Sequence, residues 1–180
     1  MPFGWEGDKV RLVPLDKERH FENTVRWVND PEITWRTLVG DFPLTRLAEH
    51  EYFDRAGRGD SDISFAVETL TEDEEHIGLV GLHDINYRHG SASLGLIIGR
   101  RQLWGRGFGT DIAAVATRYA FEVAGLRLVL AEVMADNVAS YKAILKAGFT
   151  EVGRIPHRYW KRGAYRDNIL LAAYRDDRAG

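Results

Sequence analysis

Eight consecutive residues, Leu103-Trp104-Gly105-Arg106-Gly107-Phe108-Gly109-Thr110, have the types and spacing to hold an anion. Glycine lets a backbone approach a ligand closely and adopt positive φ. Where such a loop opens a helix, the first turn offers unpaired N–H groups and the positive end of the helix dipole. That combination cradles a pyrophosphate, and Arg100, Arg101 and Arg106 add positive charge at its rim. Two common phosphate loops are excluded. No Gly-Lys-Ser/Thr follows, as a Walker loop requires, and the third glycine falls one residue too early for the dinucleotide fingerprint. The plainer alternative is a glycine-rich turn that only starts a helix.

A second group follows about thirty residues later, in Asp136-Asn137-Val138-Ala139-Ser140-Tyr141. Asn137 is suited to cap a helix. Ser140, in the first turn, is either a hydroxyl donor for chemistry or an ordinary first-turn serine. Tyr141 continues an apolar stripe and reads as core, with a reserve role as an acid. His83 and Asp84 are adjacent in the run 78–86, and strand alternation puts them on opposite faces, so only one should point into a cleft. Asp84 is a candidate base, or else a solvated strand-end carboxylate. His83 reads as a half-buried histidine, and Glu51 is a further candidate base. The six histidines include no His-x-x-x-His pair, so no metal site is expected. With no cysteine there is no disulfide, thiolate nucleophile or Cys-based zinc site. The five tryptophans read as core or pocket wall.

The elements that must position these residues follow from periodicity. Residues 10–15 read as a strand, and Asp16 can cap a helix with Phe21, Val25 and Val28 on one face, ending before Asp30-Pro31. The stretch 31–44 is irregular with a short helix near Ile33, and Thr45 can cap a helix over 46–56. Strands are predicted over 63–67, 77–87 and 91–98, the last two joined by Arg88-His89-Gly90. After the glycine loop, Ile112, Val115, Ala116, Tyr119 and Val123 have helical spacing, with Gly125 as the C-terminal cap. A central strand over 126–134 leads to a helix over 138–147 with Val138, Tyr141, Ile144 and Leu145 inward. Strands 149–160 and 164–174 form a closing hairpin. This order predicts an α/β (α+β) fold, a mixed sheet with helices on both faces.

The length of 180 residues suits one domain, 1–180, with its core at about 9–174. A net charge of −3 argues against a general nucleic-acid binder. The first eight residues lack the basic and apolar regions of an export signal, and no apolar run approaches membrane-spanning length. A cytoplasmic protein with no nucleic-acid or membrane partner is expected.

Taken together, the motifs resemble the GNAT superfamily of N-acetyltransferases, and within it the ribosomal-protein alanine acetyltransferase (RimJ/RimL-like) branch. That branch shows Trp-Gly-(Lys/Arg)-Gly-(Tyr/Phe)-(Gly/Ala)-Thr, then Asn-x-x-Ser, then Lys-x-Gly-Phe-x-x-x-Gly. Here these are residues 104–110, 137–140 and 146–153, and the ending Tyr165-Arg166-Asp167-Asn168 is also similar. The resemblance implies a mostly antiparallel central sheet whose strands four and five splay apart to admit the pantetheine arm of acetyl-CoA. Backbone of Leu96, Ile97 and Ile98 would hold that arm with Asn137, and amides from Arg106, Gly107, Phe108, Gly109 and Thr110 would hold the pyrophosphate, with Arg101 and Trp104 beside them. Ser140 would serve the leaving sulfur, since Ile144 stands where many relatives have a tyrosine. Many relatives also carry glutamate where this chain has Ser93, which leaves the base between Asp84 and other carboxylates.

The reaction so implied is direct attack of an amine on the acetyl group. An aliphatic ammonium with pKa about 10 must first lose its proton. The acceptor is expected to be a protein N-terminal α-amine or a small-molecule amine. Residues 78–86 look somewhat like polyamine acetyltransferases, and amino sugars, amino acids and antibiotic amines stay open. A non-catalytic acyl-CoA sensor is the alternative of a different class. The acceptor pocket is expected between residues 27–53 and the 155–168 hairpin, where Tyr159, Trp160 and Tyr165 either wall it or form a homodimer contact.

Overall fold

Among the described residues, four of the five α-helices begin at a side chain that accepts a hydrogen bond from the first turn, the signal that stops a preceding strand or loop. Asp16 accepts from Arg19 N, Asp30 from Glu32 N, Thr45 from Ala48 N and Asn137 from Ser140 N. The computed structural model describes residues 5–38, 41–58 and 61–175. Positions 1–4 of the expected leaderless start, and 39 and 40 of the expected pocket stretch, lie outside them.

The order is β1 (Trp5–Glu6), β2 (Val10–Pro14), α1 (Lys17–Val28), α2 (Pro31–Thr34), α3 (Arg46–Arg55), β3 (Ile63–Thr69), β4 (His76–Asn86) and β5 (Ser91–Ile98). A 3-10 turn (Arg101–Leu103) follows, then α4 (Phe108–Glu122), β6 (Leu128–Met134), α5 (Val138–Lys146), β7 (Thr150–Lys161) and β8 (Ala164–Tyr174). The expected elements are present within a few residues. The short β1, paired through Trp5↔Leu12, was not foreseen.

One sheet runs β1-β2-β3-β4-β5-β6-β8-β7, antiparallel except for the β5–β6 pair. That parallel pair needs a crossover, which α4 supplies. Its pairing covers only Ser91↔Leu128 to Leu94↔Ala131. Beyond it β5 stays with β4 through Gly78↔Ile98, while β6 follows β8 through Met134↔Asn168. The two strands therefore part, and this is the expected splay.

The core joins α4 (Ile112, Val115, Ala116) to strand residues such as Val10, Val80, Leu82 and Val129. The opposite side of β4, with Leu79, Gly81 and His83, faces α1 and α3. There Trp27 of α1 lies so close to Gly99 that a Cβ at that glycine would fall 1.9 Å from the indole.

Val138, expected inward, and Val123, placed at helical spacing, are not buried. Val138 is 51% exposed and Val123 is 52% exposed. Val123 is the C-cap of α4, past its last packed turn, while Gly125 beyond it takes φ +67°. On α5 only Ile144 is fully buried, because Ala139, Ser140, Lys142 and Ala143 face a cavity rather than the core.

Candidate active site

The exception among the five helices is α4. Its N-cap is Gly107 at φ +87°, and no side chain caps it. The amides of Phe108, Gly109 and Thr110 thus start a helix with no capping partner, open to an anion. The end is held from behind: the Asp111 carboxylate accepts from the backbone N–H of Asp8, Lys9 and Val10 at 3.0, 2.8 and 3.0 Å. Lys9 also places its ammonium 5.7 Å from the Phe108 ring centroid.

A cavity of about 350 Å³ runs from this cradle into the splay. Leu96, Ile97, Ile98, Trp104, Gly107, Gly109, Thr110, Asn137 and Ser140 all line it. Three expected residues do not. Arg101 and Arg106 stay solvated at the rim, and the Phe108 side chain turns toward Lys9 and the core. Leu103, Lys142 and Lys146 also form the wall, and the two lysines supply positive charge that was not anticipated.

Two backbone details refine the expected set. Gly99 N donates to Ile77 O at 2.8 Å, so by strand alternation Ile97 also turns its backbone to β4 and offers only its side chain. Leu96 and Ile98 face the splay, but Trp104 Nε1 already donates to Ile98 O at 2.9 Å. Asn137 Oδ1 caps α5, and its Nδ2 donates to Arg36 O at 3.2 Å, which leaves one amide proton for a ligand. An unscreened helix start, a glycine-lined approach, flanking lysines and an unpaired strand edge suit a phosphorylated arm such as that of acetyl-CoA.

A second cavity of about 620 Å³ lies on the α1–α3 side of the sheet, and Leu96, Ile97, Asn137, Ser140 and Ile144 belong to both walls. Ser140 therefore sits where the two meet. Three carboxylates line the second cavity: Glu49, Asp84 and Glu132. His83 and Asp84 both face it, against the alternation expected. The cause is a bulge between His83 and Asn86 in which Asp84 takes φ +51°. His83 Nδ1 lies 3.1 Å from Asp62 Oδ1, which orients its ring. Glu132 Oε2 accepts from the Tyr159 hydroxyl and Asn168 Nδ2, each at 2.7 Å.

Glu51 is exposed on the outer side of α3; Glu49 is the residue turned inward, 4% exposed. Burial alone pushes the Glu49 carboxyl above its usual range. The readable signal was its i,i+4 relation to Phe53, the other buried residue of α3. Of the 27–53 stretch, residues such as Val28, Thr37 and Tyr52 line this second cavity. The hairpin does not. It lies one strand further out, and Tyr159 and Asn168 reach the site only by holding Glu132. Trp160 and Tyr165 pack edge to face with each other, both exposed. Tyr141 donates to Glu151 at 2.8 Å and does not line either cavity. Among the described residues no cluster of His, Cys, Asp and Glu could hold a metal ion, and no helix is long and apolar enough to cross a membrane.

A family model described as the acetyltransferase (GNAT) domain matches residues 9–150. Spermidine N(1)-acetyltransferase from Escherichia coli is 30% identical over 168 residues, 92% of this chain and 86% of the relative. The enzyme of that name from Vibrio cholerae is 32% identical over 91 residues, 51% of this chain and 52% of the relative. Among solved structures, spermidine N-acetyltransferase from Vibrio cholerae in complex with CoA and spermine superposes with TM-score 0.83 at 23% identity, covering 92% of this chain and 95% of that one. A GNAT-family acetyltransferase from Bacillus anthracis gives TM-score 0.79 at 14% identity, covering 94% and 97%. The chain belongs to the GNAT family of acetyl-CoA-dependent N-acetyltransferases.

Proposed function

We propose that the acceptor is an aliphatic polyamine, acetylated on a primary amine, and that the chain works as one N-acetyltransferase domain with its core at about residues 9–174. The observation that carries this reading is the cavity walled by Glu49, Asp84 and Glu132 that meets the cofactor cavity at Ser140. A polycation favours such a wall by charge. The names of the relatives above support it. A cytoplasmic location follows from where acetyl-CoA is supplied.

Acetyl-CoA supplies the acyl group as a thioester. The amides at 108–110 hold its phosphates, and the Leu96 backbone and the Ile98 N–H hold the arm. Asp84 takes the ammonium proton, directly or through water, which frees the lone pair for attack. Ser140 donates a hydrogen bond to the departing sulfur, the task that Ile144, an apolar side chain at both walls, has no group to perform.

A protein N-terminal α-amine is the second reading, favoured by Trp104 and the Asn137–Ser140 pair of the ribosomal-protein branch. Release of free CoA thiol across spermidine, spermine, amino sugars, aminoglycosides and peptides of varied N-terminus decides between them. Spermidine is expected to exceed every peptide in kcat/KM. Turnover of peptides with none of polyamines would put the second reading in its place.

A further inference from the structure

A buried carboxylate with a free oxygen lies in the acceptor cavity, away from both motifs. Glu49 is 4% exposed, lines the 620 Å³ cavity, and its Oε2 has no hydrogen-bond partner. No ion pair joins it to any described residue. Burying a carboxylate in this way is unfavourable unless a cation or donor meets it. The cations on the same wall are engaged elsewhere or remain in water. Arg36 lies over the Trp35 ring at 4.3 Å, and Arg55 is exposed at the end of α3. No described residue brings positive charge to Glu49, and burial is the single cause of its raised pKa.

We infer that Glu49 anchors a second cationic nitrogen of the acceptor, so that the site selects diamines and longer polyamines over monoamines. This rests on the polyamine reading and assigns its specificity to one residue. The cavity wall carries Glu49 and also Ser140, where the two cavities meet and the reacting nitrogen must come. The same wall holds Val28, Leu79, Leu96 and Met134, apolar groups suited to methylenes. A chain with nitrogen at each end and carbon between matches that combination of carboxylate and apolar wall. A monoamine that reaches the splay leaves Glu49 without a partner.

The test compares 1,4-diaminobutane and spermidine with butylamine at saturating acetyl-CoA, using the full chain and its Glu49→Gln and Glu49→Asp variants. In the wild type the diamine is expected to be the better substrate. Glu49→Gln should raise KM for the diamine and for spermidine about 30-fold or more, as loss of one member of a buried charge pair does. KM for butylamine and affinity for acetyl-CoA should change less than about 2-fold, as for a site away from those contacts. Glu49→Asp keeps the charge and should give a smaller rise in diamine KM alone, which carries the test if the glutamine variant does not fold. An unchanged diamine KM in a folded Glu49→Gln protein overturns the assignment. Equal loss of kcat on the diamine and butylamine also overturns it, since that marks a base rather than an anchor. If the wild type turns over butylamine or peptides but no diamine or polyamine, the polyamine reading itself falls, and Glu49 falls with it.

Discussion

Asp84 owes its place in the cavity to a backbone angle, φ +51°, that most residues with a side chain avoid. Asparagine tolerates this region as aspartate does, so Asp84→Asn keeps the bulge and removes only the proposed base. It should lower kcat by about 100-fold, the lower range for a general base, with acetyl-CoA affinity unchanged. An equal kcat, measured on a variant of unaltered melting temperature, would move the base elsewhere in the cavity. Glu49 makes the complementary case. Its carboxyl sits above the ordinary value of 4.5 in the fold, so the folded chain holds that proton more tightly than the unfolded chain. Stability on this account is greatest below pH 4.5 and is lost as pH rises through the shifted value. Glu49→Gln should therefore melt higher than wild type at pH 7, and the gain should shrink as pH falls toward 4.5. A variant less stable at pH 7 would show that the carboxylate has a partner in the fold. The position of Asp84 was not legible in the sequence, and that of Glu49 was marked only by its spacing from Phe53. The bulge depends on how β4 meets β5, and α3 carries no clean apolar stripe, since Leu47 is exposed while Glu49 is buried.

At the scale of elements, the two helix starts were legible because their signals are local. Asn137 reads as a cap from its type and place, and three alternate glycines read as a loop that no side chain can close. What those starts face was not legible. The lysines of α5, the turn of the Ile97 backbone toward β4 and the hairpin's grip on Glu132 all arise from strands brought together across the sheet. The two cradle glycines also differ in a way that only the fold shows. Gly107 takes φ +87°, so any side chain there strains the backbone and confuses a binding test. Gly109 has no positive φ, and a Cβ there would stand 3.6 Å from Ala143 Cβ and from Ile98 Cδ1, an ordinary contact. A carboxylate in the first turn also suits the helix dipole. Gly109→Glu is therefore expected to keep or raise the melting temperature while acetyl-CoA binding falls below detection by calorimetry. Undiminished binding by the folded variant would remove the α4 start from the cofactor site.

At the scale of the whole molecule, a polar cluster built from α1 and strands β2 to β4 packs, through Trp27, against the strand end beside the proposed cofactor cleft. Glu68, fully buried on β3, lies 3.2 Å from Arg11 Nε, 2.6 Å from Arg19 and 3.1 Å from His20 Nε2. His20 Nδ1 accepts from Asp16 N at 2.9 Å, so Nε2 carries the proton and donates to Glu68. His76 packs between His20 and Trp27, with ring centroids 4.6 and 4.7 Å away. Its Nε2 lies 2.9 Å from Gly78 O and must donate, which leaves Nδ1 buried without a partner. Burial first, and the neighbouring His20 next, lower its pKa from 6.5 to about 3. Between those two values the unfolded chain binds a proton at this position that the folded chain refuses. Stability is therefore intact above pH 6.5 and declines as pH falls toward 3, by up to about 1.4 kcal/mol per pH unit. The consequence is expected to reach the candidate active site, because Trp27, which packs at a tilt against His76, also lies against Gly99 at the exit of β5 into the glycine loop. Loosening this packing by acid should release the strand end that carries Ile98 and the bond from Trp104. His76→Gln keeps a donor for Gly78 and cannot take a proton. Urea unfolding followed from pH 7 to pH 4.5 should show a shallower loss of stability in this variant, by about one proton's slope, with acetyl-CoA binding retained to lower pH. The same slope in both proteins would place the acid-sensitive group elsewhere and uncouple this cluster from the cleft.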